Sequence, residues 1–181
     1  MLTLLLGGAR SGKSRLAVDL ASRHPGPVTF IVTGEPLDED MAARIDRHRA
    51  ERPAHWSTVE EPLALEAALE DVARGIVVID CLTLWVSNLL GSDYEGTRIL
   101  SDALRVAEIA QRRLHAVVVV TNEVGSGIIP GDALSRHYCD LLGRVNTIFS
   151  EHAHEAHFVA AGRSLLLGPT ITSRGETETA T

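Results

Sequence analysis

The residues Gly7-Gly8-Ala9-Arg10-Ser11-Gly12-Lys13-Ser14 set two glycines five positions apart and follow the second at once with a lysine and a hydroxyl. This is the spacing of a phosphate-cradling P-loop. Each residue type has a job in that chemistry. The glycines let the backbone turn and aim N–H groups inward, and the start of the following helix adds partial positive charge. Lys13 reaches the β- and γ-phosphates, and Ser14 offers its hydroxyl to Mg²⁺. Gly7 through Ser14 are therefore predicted to hold a nucleoside triphosphate. An acid for the same task stands at the end of the apolar run Gly75-Ile76-Val77-Val78-Ile79-Asp80. P-loop proteins place the carboxylate that holds Mg²⁺ through water at such a strand end, although a strand-end Asp also serves to cap the next helix.

Direct phosphoryl transfer needs positioning and charge neutralisation but no protein nucleophile. The segment from Asp38 to Trp56, DEDMAARIDRHRAERPAHW, holds one candidate nevertheless. Arg44 and His48 are four residues apart and share a helical face, and Arg49 and Arg52 follow just before Pro53 ends the helix. A neutral imidazole among guanidinium groups can attack phosphorus while the arginines hold the displaced oxygens. A solvated helix with an ordinary histidine is the alternative, and it suffices for His24, His115, His152, His154 and His157.

Such groups need a scaffold, and the chain alternates in the manner of one. Short apolar runs at Leu2–Leu6, Val28–Thr33, Ile76–Asp80, Ala116–Thr121 and Ala156–Ala161 read as strands. Amphipathic segments at Lys13–Arg23, Glu39–Arg49, Ala64–Ala73, Leu82–Leu90, Leu100–Leu114 and Asp132–Ala153 read as helices, with 91–97 as a loop. The alternation predicts a three-layer α/β fold with a mostly parallel central sheet whose ligands sit beyond the strand ends. With 181 residues, 45% of them hydrophobic, a single catalytic domain is expected over 1–168, followed by a polar tail over 169–181. A formal net charge of −7 argues against a nucleic-acid partner bound through a broad basic surface. No apolar run is long enough to insert in a membrane, and no basic segment precedes an apolar leader, so a soluble, cytoplasmic protein is expected. Cys81 and Cys139 have no metal or redox spacing, which fits a reducing compartment.

Taken together, GGARSGKS, DEDMAARIDRHRAERPAHW, DCLTLWVSNLL, TNEVGSGIIP and LGRVN resemble, in their order, the bifunctional adenosylcobinamide kinase and adenosylcobinamide-phosphate guanylyltransferase family of cobalamin biosynthesis, over Leu2 to about Leu167. The resemblance implies a P-loop NTPase fold, a homotrimer, and two reactions. ATP or GTP phosphorylates adenosylcobinamide, and GMP from GTP is then moved onto adenosylcobinamide phosphate through a GMP-histidine. The family's Arg-Ile-x-x-His is Arg44-Ile45-Asp46-Arg47-His48 here, so His48 inherits the covalent role and Lys13 the kinase step.

By the same matching Thr33, Gly34 and Glu35 contact nucleotide, Arg49 and Arg52 flank the guanylylated histidine, and Glu60 or Glu61 recognises guanine. Ser14 and Asp80 hold Mg²⁺. TNEVGSGIIP is assigned to cobinamide or to the subunit interface, or else is a plain strand-to-helix connection. Two rivals stand beside this reading: a small-molecule kinase with no covalent nucleotide, and a RecA-like ATP-binding module that turns hydrolysis into motion.

Overall fold

In the computed structural model, which describes residues 1–169, thirteen elements alternate along the chain. They are β1 (Leu2–Gly7), α1 (Lys13–Ser22), β2 (Val28–Val32), α2 (Glu39–Ala50), β3 (Ser57–Glu60), α3 (Leu65–Asp71), β4 (Ile76–Asp80), α4 (Leu82–Gly91), α5 (Gly96–Arg112), β5 (Val117–Asn122), α6 (Ala133–His152), β6 (Glu155–Ala160) and β7 (Arg163–Leu166). The strands form one sheet in the order β3-β2-β4-β5-β1-β6-β7. All neighbours are parallel except β6 and β7.

The central strands are apolar at nearly every position because both faces of the sheet are covered. Successive side chains of β1 go to opposite sides: Leu2 and Leu4 join a cluster with Trp85, Val106, Leu142 and Phe149, whereas Leu5 joins Ala17, Phe30, Val78 and Val118. α1 therefore covers one face and α3 to α6 the other, which makes the three layers expected.

The edge strands β3 and β7 carry no signature that predicts them. Their residues, Ser-Thr-Val-Glu and Arg-Ser-Leu-Leu, are mostly exposed, and a strand paired on one side with little burial shows no apolar run in sequence. α5 begins at Gly96 rather than near Leu100, so the connection from α4 is short. Asp93 turns the chain with φ 59°, and the N–H of Tyr94 donates back to the carbonyl of Leu89 at 3.0 Å. β6 ends one residue before the expected Ala161, because Ala161 and Gly162, with φ 51° and 74°, make the two-residue turn into β7. From residue 170 on, the tail expected at 169–181 lies outside the described residues.

Candidate active site

A cleft of about 430 Å³ opens at the carboxyl ends of β1, β2, β4 and β5, with α2 across it. The loop after β1 supplies one wall, from Ala9 to Ser14. Gly7 and Gly8 stand behind that wall, and their carbonyls face inward and accept from Lys13 Nζ at 2.9 and 2.6 Å. Ser11 Oγ lies 3.3 Å from the same ammonium. Burial lowers the Lys13 ammonium from its ordinary range, and Arg44 adds to the lowering while Asp80 opposes it.

The glycines of this loop are required by packing as well as by turning. The β6–β7 hairpin presses against the loop from behind, and Gly162 N donates to Ser11 O at 2.8 Å. A Cβ on Gly7 would sit 2.1 Å from the Val159 carbonyl oxygen, and one on Gly12, which has φ 105°, would sit 3.2 Å from Gly162 Cα. The cradle is thus braced by a hairpin that nothing in the P-loop pattern announces.

Asp80 ends β4 and lies on the same cleft wall. Its strand end is clamped to β2 by Thr33, whose Oγ1 donates to Cys81 O at 2.7 Å and accepts from Cys81 N at 3.0 Å. Asn88 of α4 donates to Thr33 O at 2.7 Å. At the neighbouring strand end, Thr121 Oγ1 donates to Asn146 Oδ1 at 2.7 Å and Asn146 Nδ2 donates to Asn122 O at 3.0 Å. The Asn of LGRVN and the Asn of TNEVG are therefore partners, and both act as braces of the cleft floor. Desolvation, with the Asp80 carboxylate adding to it, pushes the half-buried Cys81 thiol up to about 11.

α2 carries the histidine. Asp38 caps the helix by accepting from Met41 N at 2.7 Å, Glu39 and Asp40 occupy the first turn, and Arg47, His48 and Arg49 the last, as the helix dipole favours. None of its residues is buried. It is held over the cleft by Ile45, which lies close enough to Gly34 that a Cβ there would be 3.6 Å from Ile45 Cδ1 and 3.3 Å from Leu84 Cδ1. Just beyond the helix, the Arg52 guanidinium lies 4.3 Å over the Phe30 ring, which in turn stacks on Trp56 with centroids 5.6 Å apart. Burial lowers Arg52 from its usual range, with Asp80 opposing. The outcome is that His48 Nδ1 comes within 3.8 Å and Arg52 Nη2 within 3.6 Å of Asp80 Oδ2.

The cleft thus gathers Ala9 to Ser14, Gly34, His48, Arg49, Arg52 and Asp80 from separate stretches of sequence. Thr33, Glu35, Glu60 and Glu61 do not line it. Thr33 is fully buried in its clamp. Glu60 pairs with Arg49 at the surface. Glu61 Oε1 accepts from Leu63 N and Ala64 N at 2.9 and 2.7 Å, which serves the start of α3. Met41, Thr58, Leu84 and Asn122 also line the cleft. Met41 lies on α2, Thr58 within the edge strand β3, Leu84 in the first turn of α4 and Asn122 at the end of β5, and no local signal in the sequence marks them.

Known proteins share this outline. The fold is similar to that of a prototypical ATPase from the type III secretion system of pathogenic bacteria, with TM-score 0.54 and 11% identity, over 91% of this chain and 56% of that one. The likeness shows a P-loop NTPase fold. The chain is 42% identical to the bifunctional adenosylcobalamin biosynthesis protein CobP of Pseudomonas aeruginosa, over 90% of this chain and 94% of the relative. It is 40% identical to the bifunctional adenosylcobalamin biosynthesis protein CobU of Escherichia coli, over 90% of this chain and 97% of the relative. Residues 3–167 match the family described as cobinamide kinase / cobinamide phosphate guanyltransferase, so the domain that builds this cleft, His48 included, belongs to the CobU family.

Proposed function

We propose that this chain phosphorylates adenosylcobinamide with ATP or GTP and then transfers GMP from GTP to adenosylcobinamide phosphate, with His48 as the carrier of GMP. The observation that carries the reading is one cleft that holds a P-loop and, 3.8 Å from the strand-end Asp80, a histidine on a helix that buries none of its residues. A kinase alone has no use for that histidine.

In the kinase step the substrate hydroxyl attacks the γ-phosphate, with the loop from Gly7 to Ser14 cradling the triphosphate and Lys13 taking up charge. In the transfer step His48 attacks the α-phosphate, pyrophosphate leaves, and the cobinamide phosphate displaces the histidine. Arg49 and Arg52 flank the reacting phosphates. Mg²⁺ suits the donors present, because the Ser14 hydroxyl and the Asp80 carboxylate line the same cleft and offer the hard oxygen ligands the ion takes alongside phosphate oxygens. When bound, it neutralises triphosphate charge. At the β2 end only Gly34 lines the cleft where the nucleotide would pass, with Thr33 buried in its clamp and Glu35 off the cleft, and Glu60 or Glu61 would meet guanine only after leaving its present partner.

Among the described residues no helix is long and apolar enough to cross a membrane. Work on small soluble substrates in the cytoplasm is part of the same reading. A homotrimer completes the reading, as the resemblance implies.

The test is to incubate the purified protein with GTP labelled at the α- or the γ-phosphate. The α-label is expected to stay on the denatured protein, survive base and be lost in mild acid, as a phosphorus–nitrogen bond requires; the γ-label is expected not to stay. His48→Ala should abolish the label. An acid-stable adduct, or full labelling of His48→Ala, would overturn the assignment.

A further inference from the structure

We propose that Asp80, beyond any part in holding metal, is the positioning residue for His48: its Oδ2 faces Nδ1 of the ring, keeps the proton on that nitrogen, and leaves Nε2 as the atom that takes GMP. The proposal rests on His48 being the GMP carrier.

A neutral imidazole has one N–H and one lone pair. With a lone pair on Nδ1, two electron-rich atoms would face each other at 3.8 Å; with a proton there, the ring points a donor at a carboxylate. At that separation the contact is the attraction between an N–H dipole and a carboxylate rather than a formed hydrogen bond.

The carboxylate is held for the purpose from two sides. Its strand end is tied to β2 through Thr33 and Cys81. Arg52, pinned between solvent exclusion and the Phe30 ring with 9% of its side chain exposed, meets the same Oδ2 at 3.6 Å. Both contacts fall on the same oxygen, Oδ2.

The arrangement also balances charge through the transfer. The Nε2 lone pair forms a bond to the α-phosphorus as the bond from that phosphorus to the bridging oxygen breaks, and pyrophosphate leaves with the electron pair. The ring is then cationic and still protonated at Nδ1, next to Asp80. When a phosphate oxygen of the acceptor attacks the same phosphorus, the phosphorus–nitrogen bond breaks, its electrons return to Nε2, and the neutral ring is restored with its proton on Nδ1. A carboxylate that orients a histidine and stabilises its cationic form is the logic of the Ser-His-Asp triad applied to phosphorus.

Full-length protein labelled with ¹⁵N-histidine supplies the test. The His48 ring shifts, assigned by comparison with His48→Ala, are expected to report the tautomer protonated at Nδ1, and Asp80→Asn should redistribute the proton. After guanylylation with GTP and Mg²⁺, the adduct is expected at Nε2. At saturating Mg²⁺, Asp80→Asn should slow guanylylation at least roughly tenfold more than it slows the kinase step, since loss of a metal contact alone would affect both. An Nε2-protonated ring, an adduct at Nδ1, or equal losses in the two half-reactions would overturn the proposal while leaving the GMP-histidine intact. No adduct on His48 at all would overturn the functional reading first.

Discussion

At the scale of single residues, the cleft gives Lys13 two duties. Its ammonium satisfies the Gly7 and Gly8 carbonyls and stands where a triphosphate's charge must be met. Lys13→Ala is therefore expected to slow both half-reactions by roughly 100- to 1,000-fold, the ordinary loss for one charged contact in a preorganised site. Single-turnover rates of kinase and guanylylation would measure it, with circular dichroism to check the fold. Near-normal kinase turnover would remove the loop from the mechanism. Arg52 is a different case from Arg49, although nothing in the sequence separates the two. Arg52 is enclosed against Phe30 and Asp80, whereas Arg49 is exposed and paired with Glu60.

At the scale of elements, α2 is the part whose placement decides between a kinase and a guanylyltransferase. It buries no residue and depends on its Asp38 cap and on Ile45 against Gly34 and Leu84. A helix of this kind can leave the cleft without unfolding the domain. Asp38→Ala should cost α2 about 1 kcal/mol, roughly a fivefold shift toward its frayed state. The expected result is faster amide exchange confined to α2, little change in melting temperature, and a several-fold larger fall in guanylylation than in the kinase step. Parallel losses would mean that the helix does not deliver the histidine independently. The β6–β7 hairpin is the opposite kind of element, since it presses backbone on backbone against the P-loop and leaves no room for a side chain at Gly7.

At the scale of the molecule, the loop after β5 and the start of α6 present Ile128, Ile129 and Leu134 to solvent with 97%, 79% and 70% of their surface exposed. Apolar side chains gathered on one such stretch suit a subunit contact. Light scattering is expected to find three copies of the 19.5 kDa chain, and Ile128→Asp with Ile129→Asp is expected to shift the assembly toward monomer. A fully active wild-type monomer would count against the trimer.

The P-loop, the central strands and the His48 helix are legible in the sequence because each has a local signature: fixed glycine spacing, an apolar run between turns, or a charged face four residues apart. The family resemblance rests on motifs that can be aligned without a fold. How those motifs meet is settled by the three-dimensional fold. Thr33 is read as a nucleotide contact in the motif that carries it, yet it spends its hydrogen bonds on a strand end, as Asn146 does at the next one, and Glu61 serves the start of α3. β3 and β7 left no trace in the sequence because exposed edge strands need no apolar alternation. The convergence of His48 and Arg52 on one oxygen of Asp80 links residues about thirty positions apart. No local pattern encodes such a meeting, since it follows from parallel strands that bring distant loops to one edge of the sheet.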